Sequence, residues 1–197
     1  MKCVAPITVF TNETYIETKD GEGMVVVLRL GHRYVRDDRT TTHLFLVARA
    51  FGAQKAIYTG RRDKKLEERI KGITMKWGGP FEVTFEGEWK RTIEEWKEKN
   101  GEVIHLTVYG LPIQGVIHKI KKSGKEKIIV VGGAKVPGII YKLADWNVSI
   151  TSQPHSEISA LGVFLHYFFE GRELSKVFQD AKIRILPQPN GKKVVQL

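Results

Sequence analysis

One cysteine, Cys3, in 197 residues excludes an internal disulfide framework. No apolar run approaches the ~20 residues of a membrane-spanning helix. The start, Met1-Lys2-Cys3-Val4-Ala5-Pro6, has no long apolar stretch behind its lysine and does not resemble a secretory signal. A cytoplasmic protein with no membrane partner is expected. The glycine patterns G-x-G-x-x-G and G-x-x-x-x-G-K-[ST] are both missing, which argues against a dinucleotide enzyme and a P-loop NTPase. G-x-S-x-G is missing too, which argues against an α/β-hydrolase. The histidines His32, His43, His105, His118, His155 and His166 show no H-x-x-x-H spacing, and one cysteine builds no zinc cluster, so no metal is expected.

What is present is basic. Lysine and arginine number 32 against 22 acidic residues, a net charge of +10. That balance favours an anionic partner such as nucleic acid, although solvated lysines alone produce the same total. Apolar residues at 42% and a length of 197 suit one core with appendages.

Residues 7–11 and 14–18 are placed to pair as a hairpin, with a polar turn over 19–23. From Met24 the character changes. Residues 24–30 are a continuous β-branched and apolar run, the pattern of a strand buried on both faces in a parallel sheet. Met24 also reads as an alternative start, which makes 1–23 an extension. A loop over 31–39 follows, then a helix over 40–51 with Leu44, Val47, Ala48 and Phe51 on one face, capped by Asp38 and ended by Gly52. Strands are expected at 56–59, 81–85, 103–109, 127–131 and 146–152. Helices are expected from Asp63 through Lys71 with Leu66 and Ile70 buried, and from a capping box at Thr92-Ile93-Glu94-Glu95 to Asn100-Gly101. A third runs over 113–121 with Ile113, Val116, Ile117 and Ile120 inward, and a fourth from Pro137 through Ala144. Gly110-Leu111-Pro112 is read as a strand break, and Lys119, Lys121, Lys122, Lys125 and Lys127 as a basic cluster. A short helix over 174–178 and a hairpin of 182–186 with 192–196 close the chain. This alternation predicts an α/β fold, a largely parallel sheet flanked by helices, plus a C-terminal β-hairpin. The expected division is 1–23, 24–179 and 180–197.

Residues 147–164 combine a strand, a turn forced by Pro154 and a helix start capped by Ser156. Such a junction exposes backbone N–H groups at the carboxyl edge of a sheet, where small ligands commonly bind.

Three segments resemble one family. Leu28-Arg29-Leu30-Gly31-His32-Arg33 with Arg36-Asp37 and Thr41-Thr42-His43, then residues 131–137, then residues 147–161, are similar to the archaeal tRNA 2'-O-ribose methyltransferases acting on cytidine-56, of the SPOUT superfamily. The resemblance covers about 24–171. It implies a C-terminal trefoil knot, a homodimer, tRNA as substrate and S-adenosylmethionine as cofactor. Carried over, the cofactor pocket comprises Leu106, Tyr109, Gly110, Leu111 and Pro112; Gly132, Gly133, Ala134, Lys135 and Val136; and Ile150, Thr151, Ser152, Gln153, Pro154, His155, Ser156 and Glu157. Taken alone, Gly132-Gly133 also reads as a tight turn, and Ser152, Gln153, His155 and Glu157 as ordinary turn and helix-start residues.

On the substrate side Arg29, His32, Arg33, Arg36, Arg39 and His43 gather at one strand end, loop and helix start. Related ribose methyltransferases place an arginine in the first helix where this chain has Leu46, so Arg39 first, then Arg33 or Arg29, or else a substrate phosphate, is expected to assist the hydroxyl. His32, Arg36 and His43 are assigned to RNA. The alternatives are a non-enzymatic basic RNA-binding module and a related knotted enzyme methylating an RNA base.

Overall fold

The computed structural model describes residues 23–133 and 136–197. Cys3, the hairpin expected over 7–18, all but Gly23 of the 19–23 turn, and the cofactor candidates Ala134 and Lys135 lie outside the described residues. In order come β1 (Val25–His32), α1 (Asp38–Ala50), β2 (Lys55–Gly60), α2 (Lys64–Trp77), β3 (Glu82–Phe85), α3 (Trp89–Glu98) and β4 (Glu102–Pro112). Then follow α4 (Ile113–Lys122), β5 (Lys127–Val131), α5 (Ile140–Leu143), β6 (Trp146–Ser149) and α6 (Glu157–Phe169). A 3-10 turn at Arg172–Ser175 and the antiparallel pair β7 (Ile183–Ile185) and β8 (Val194–Gln196) complete the chain.

Six strands form one sheet in the order β3-β2-β1-β5-β4-β6, with every neighbouring pair parallel. Side chains alternate across a strand, so β1 feeds both faces. Val25 and Val27 join Leu44, Phe45, Leu161 and Phe164 on the face covered by α1, α4 and α6, while Val26, Leu28 and Leu30 join Ile93 of α3 and Ile140 of α5. Because all strands run the same way, the loops after β2, β1, β5, β4 and β6 share one edge.

Local expectations differ from the structure in definite ways. Asp38 opens α1 without capping it; Asp37 holds the cap position, and its carboxylate is turned towards Arg33. α2 runs six residues past Lys71 to Trp77, and its cap is Asp63, which accepts from the amides of Lys65 and Leu66. Thr92 starts no helix: α3 begins at Trp89, and the Thr92 hydroxyl donates back to the Glu88 carbonyl at 3.3 Å. Gly110-Leu111-Pro112 does not break β4, because Leu111 and Pro112 resume pairing with Val148 and Ser149 after a register shift. α5 is only four residues, β6 stops at Ser149, and the helix expected over 174–178 is the earlier 3-10 turn.

Lys127 does not belong to the basic surface. Its side chain is 1% exposed, and its ammonium meets Glu102 at 3.0 Å and the Ser123 hydroxyl at 2.8 Å, while Glu102 accepts the Trp146 indole N–H at 2.8 Å. This network fastens the amino ends of β4, β5 and β6. His32 is buried at the other end of β1, with Nδ1 2.9 Å from the Thr41 hydroxyl and Nε2 3.7 Å from Asp63. Burial pushes its pKa down, and Asp63 opposes that shift.

Two outcomes follow. Removing one partner of a buried pair strands the other charge, so Glu102→Ala is expected to cost about 3 kcal/mol in urea unfolding. The lowered His32 pKa means that between it and the unfolded value only the unfolded chain takes up the proton. Stability therefore falls as pH drops below about 6.5, by up to ~1.4 kcal/mol per unit. His32→Asn flattens that slope, read as unfolding midpoints at pH 7.5 and 5.5.

Candidate active site

A cavity of about 820 Å³ opens at the carboxyl edge, where β5, β4 and β6 end side by side. Leu106, Val131, Val136, Val148, Ile150 and Ala160 give it apolar walls, and His105, Thr107, Tyr109, Tyr141, His155 and Glu157 supply polar groups. Of the residues expected to hold a cofactor, Leu106, Tyr109, Gly132, Gly133, Val136, Ile150, His155 and Glu157 line this cavity. Gly110, Leu111, Pro112, Thr151, Ser152, Gln153, Pro154 and Ser156 stand outside its walls. The first three belong to β4, and Ser156 caps α6 by accepting from the Ile158 amide at 3.1 Å.

Two of these glycines also serve the packing of the chain on itself. A Cβ on Gly132 would collide with the Val136 side chain, and one on Gly110 would lie 2.5 Å from the Asn147 carbonyl carbon. Both positions lack a side chain so that one piece of chain can press on another. Gly133 faces Arg29, whose Nη2 would stand 3.4 Å from an added Cβ.

Arg29 projects from β1 behind the cavity wall and is 2% exposed. Nη2 donates to Glu157 Oε1 at 3.2 Å, while Nε and Nη1 are buried without a partner among the described residues. Burial lowers its pKa, and the Glu157 carboxylate opposes the shift. The arginine expected first, Arg39, is exposed in the first turn of α1. Arg33 is locked to Asp37 through both Nε and Nη2, at 2.9 and 3.0 Å, which holds the Asp37 carboxyl below its usual range. Arg36 and His43 are exposed, as an RNA surface requires. His32 is the exception: its burial leaves no ring atom for RNA. Leu46 packs on the core beside α6.

One constellation is absent from the sequence reading. Asn147 Nδ2 donates to the Tyr141 carbonyl at 2.9 Å, which forces its Oδ1 towards His105 Nδ1, also at 2.9 Å. A carbonyl only accepts, so the amide orientation is determined, Nδ1 must carry the proton, and Nε2 of neutral His105 is left as an acceptor. Burial lowers the His105 pKa, favouring that neutral ring. Tyr141 packs edge-on against it at 4.8 Å and meets Thr107 through its hydroxyl at 3.0 Å. The available signal was a histidine inside the apolar run of β4, but nothing local pairs it with residues 36 and 42 positions later.

Among the described residues no group of three or more His, Cys, Asp or Glu is placed to hold a metal, and no helix is long and apolar enough to cross a membrane. The cavity volume lies in the range of small-ligand sites, and its apolar walls with a few fixed polar groups suit a ligand that is part aromatic and part charged.

The comparisons with known proteins converge. The family model described as "tRNA ribose 2'-O-methyltransferase, aTrm56" matches residues 77–195. The tRNA (cytidine(56)-2'-O)-methyltransferase of Methanothermobacter thermautotrophicus is 53% identical over 168 residues, covering 85% of this chain and 94% of that one. The Thermococcus kodakarensis protein of the same description is 50% identical over 177 residues, covering 88% and 98%. In fold, the SpoU methyltransferase AviRb from Streptomyces viridochromogenes, solved with AdoMet, is similar with a TM-score of 0.57 at 15% identity, over 79% of this chain and 59% of that one. The chain belongs to the tRNA ribose 2'-O-methyltransferase family, aTrm56.

Proposed function

We propose that this chain transfers a methyl group from S-adenosylmethionine to the ribose 2'-hydroxyl of cytidine-56 in tRNA. The observation that carries the reading is the cavity at the carboxyl edge of β5, β4 and β6, backed by Arg29 on Glu157. The apolar walls at Leu106, Val131 and Val148 suit an adenine ring, His105 offers an acceptor, and the Glu157 carboxylate suits a cationic methyl donor. When bound, S-adenosylmethionine supplies an electrophilic methyl group on a sulfonium.

The protein's own contribution is positional. A ribose hydroxyl is a weak nucleophile, and holding it in line with the methyl group supplies much of the rate. Arg29 holds Glu157, which fixes the carboxylate in the cavity wall. Exposed Arg36, Arg39 and His43 lie at the same sheet edge and suit phosphate contacts. The close passage of Gly110 over Asn147 and Val148 fits a crossing of the expected trefoil knot. Exposed Tyr109, Leu111, Val163 and Tyr167 support a homodimer. The enzyme would act in the cytoplasm. Residues 24–179 would form the catalytic unit and 180–197 an appended hairpin.

The direct test incubates the protein with labelled S-adenosylmethionine and unmodified tRNA, then maps the label by nuclease digestion. Label on the ribose of cytidine-56 is expected; label on a base, or none, overturns the proposal. Glu157→Gln keeps the shape but removes the charge facing Arg29. It is expected to weaken S-adenosylmethionine binding about tenfold by calorimetry, equivalent to ~1.4 kcal/mol, with a smaller change in melting temperature.

A further inference from the structure

The loops after β1 and β2 are fastened into one surface, whose aromatic and strained residues the reaction above leaves without a role. The Arg61 amide donates to the His32 carbonyl at 2.9 Å, and the Gly31 amide to the Thr59 hydroxyl at 3.1 Å. Gly60 permits this approach: with φ at +101°, its absent Cβ would stand 2.5 Å from the His32 carbonyl oxygen. The junction brings the Arg61 guanidinium over the ring of Tyr34, 5.6 Å from its centroid. Tyr34 is 40% exposed, and its neighbour Val35 is 79% exposed with φ at +68°. A β-branched residue held there is a backbone outlier, and such strain concentrates where a loop presents itself to a ligand.

The charges around the platform have one sign left over. Asp37 is taken by Arg33, Asp38 by Arg69, and Asp63 by the α2 cap and His32. Arg36, Arg39 and Arg61 form no ion pair with an acidic side chain among the described residues. An exposed aromatic under a guanidinium, flanked by unpaired cations, matches the way proteins hold unpaired RNA bases. With parallel strands about 4.8 Å apart, the loops after β2, β1 and β5 span roughly 10 Å of the same edge. The platform therefore lies beside the cavity and not behind it.

We propose that Tyr34 and Arg61 form a stacking platform for one unpaired base of the tRNA, beside the nucleotide presented to the cavity, with Val35 packed against the same nucleotide. This rests on the proposed methyltransferase reading but is tested by binding. Stacking carries no net charge, so its loss lowers affinity without changing the number of ions released, whereas loss of a phosphate contact lowers the salt slope.

Fluorescence anisotropy with unmodified tRNA at several salt concentrations separates these terms. Tyr34→Ala is expected to weaken binding about tenfold with an unchanged salt slope, and Tyr34→Trp to keep wild-type affinity. In turnover, Tyr34→Ala raises KM for tRNA while kcat and S-adenosylmethionine affinity hold. Arg61→Ala weakens binding and lowers the slope by no more than about one ion. Wild-type tRNA affinity in folded Tyr34→Ala overturns the platform. So does a shift of that variant to smaller oligomers in sedimentation with tRNA affinity unchanged, which would make the surface a contact between copies. If the wild type binds tRNA through Tyr34 yet transfers no methyl group, the enzymatic reading fails and the platform stands.

Discussion

Burying a guanidinium to 2% exposure is costly without a partner, and Arg29 finds one carboxylate, Glu157, at the start of α6. That single contact joins β1, which carries Arg29, to the helix that Ser156 caps, and Gly133 of the loop after β5 faces the same guanidinium. The pair is separated by 128 residues in sequence. On the sheet, Arg29 of β1 stands opposite Val131, the cavity-lining end of its parallel neighbour β5. The cavity wall is therefore set by the sheet register. A slip of one residue would turn Arg29 to the opposite face, among Leu28, Leu30 and Val130, with no acid there to receive it.

Close approach of chain segments recurs at the same edge. Gly110 lies on the backbone of β6, Gly132 under Val136 and Gly60 on β1, each with no room for a Cβ. These contacts divide the edge into two working regions. The ends of β5, β4 and β6 enclose a space for a small molecule, and the ends of β1 and β2 form an open, cationic surface. A methyltransferase that brings a small donor to a large anionic substrate needs both, side by side. At the opposite edge Lys127, Glu102, Ser123 and Trp146 bind the strand starts together, with the buried charges paired to each other.

How far the sequence could be read depended on the range of the signal. The 113–121 helix matched within one residue, and its four inward isoleucine and valine positions are all buried, because helical periodicity is local. Strand 127–131 matched at both ends, bounded by lysine and by Gly132. The Ser156 cap was legible for the same reason. Failures occurred where a partner far along the chain overrode a local rule. Gly110-Leu111-Pro112 has the composition of a break, yet β6 supplies hydrogen bonds that continue the strand. Asp38 resembles a cap, yet Arg69 of α2 engages it. His32 and Lys127 look like RNA ligands by charge, yet Asp63, Thr41 and Glu102 draw them inward.

The sequence by itself determined the α/β class, the strand and helix order, the basic balance and the family, since these rest on patterns and motifs written in consecutive residues. It also placed the segments after β5 and β6 that help line the cavity, while Gly110-Leu111-Pro112 proved to be part of β4. Only the tertiary structure decided which polar residues face one another: Arg29 with Glu157, His105 with Asn147 and Tyr141, Arg61 with Tyr34. Those meetings depend on strand order and register across distant segments, and whether a charge is buried or solvated follows from them. A chain's local pattern carries no record of the neighbour that will desolvate it.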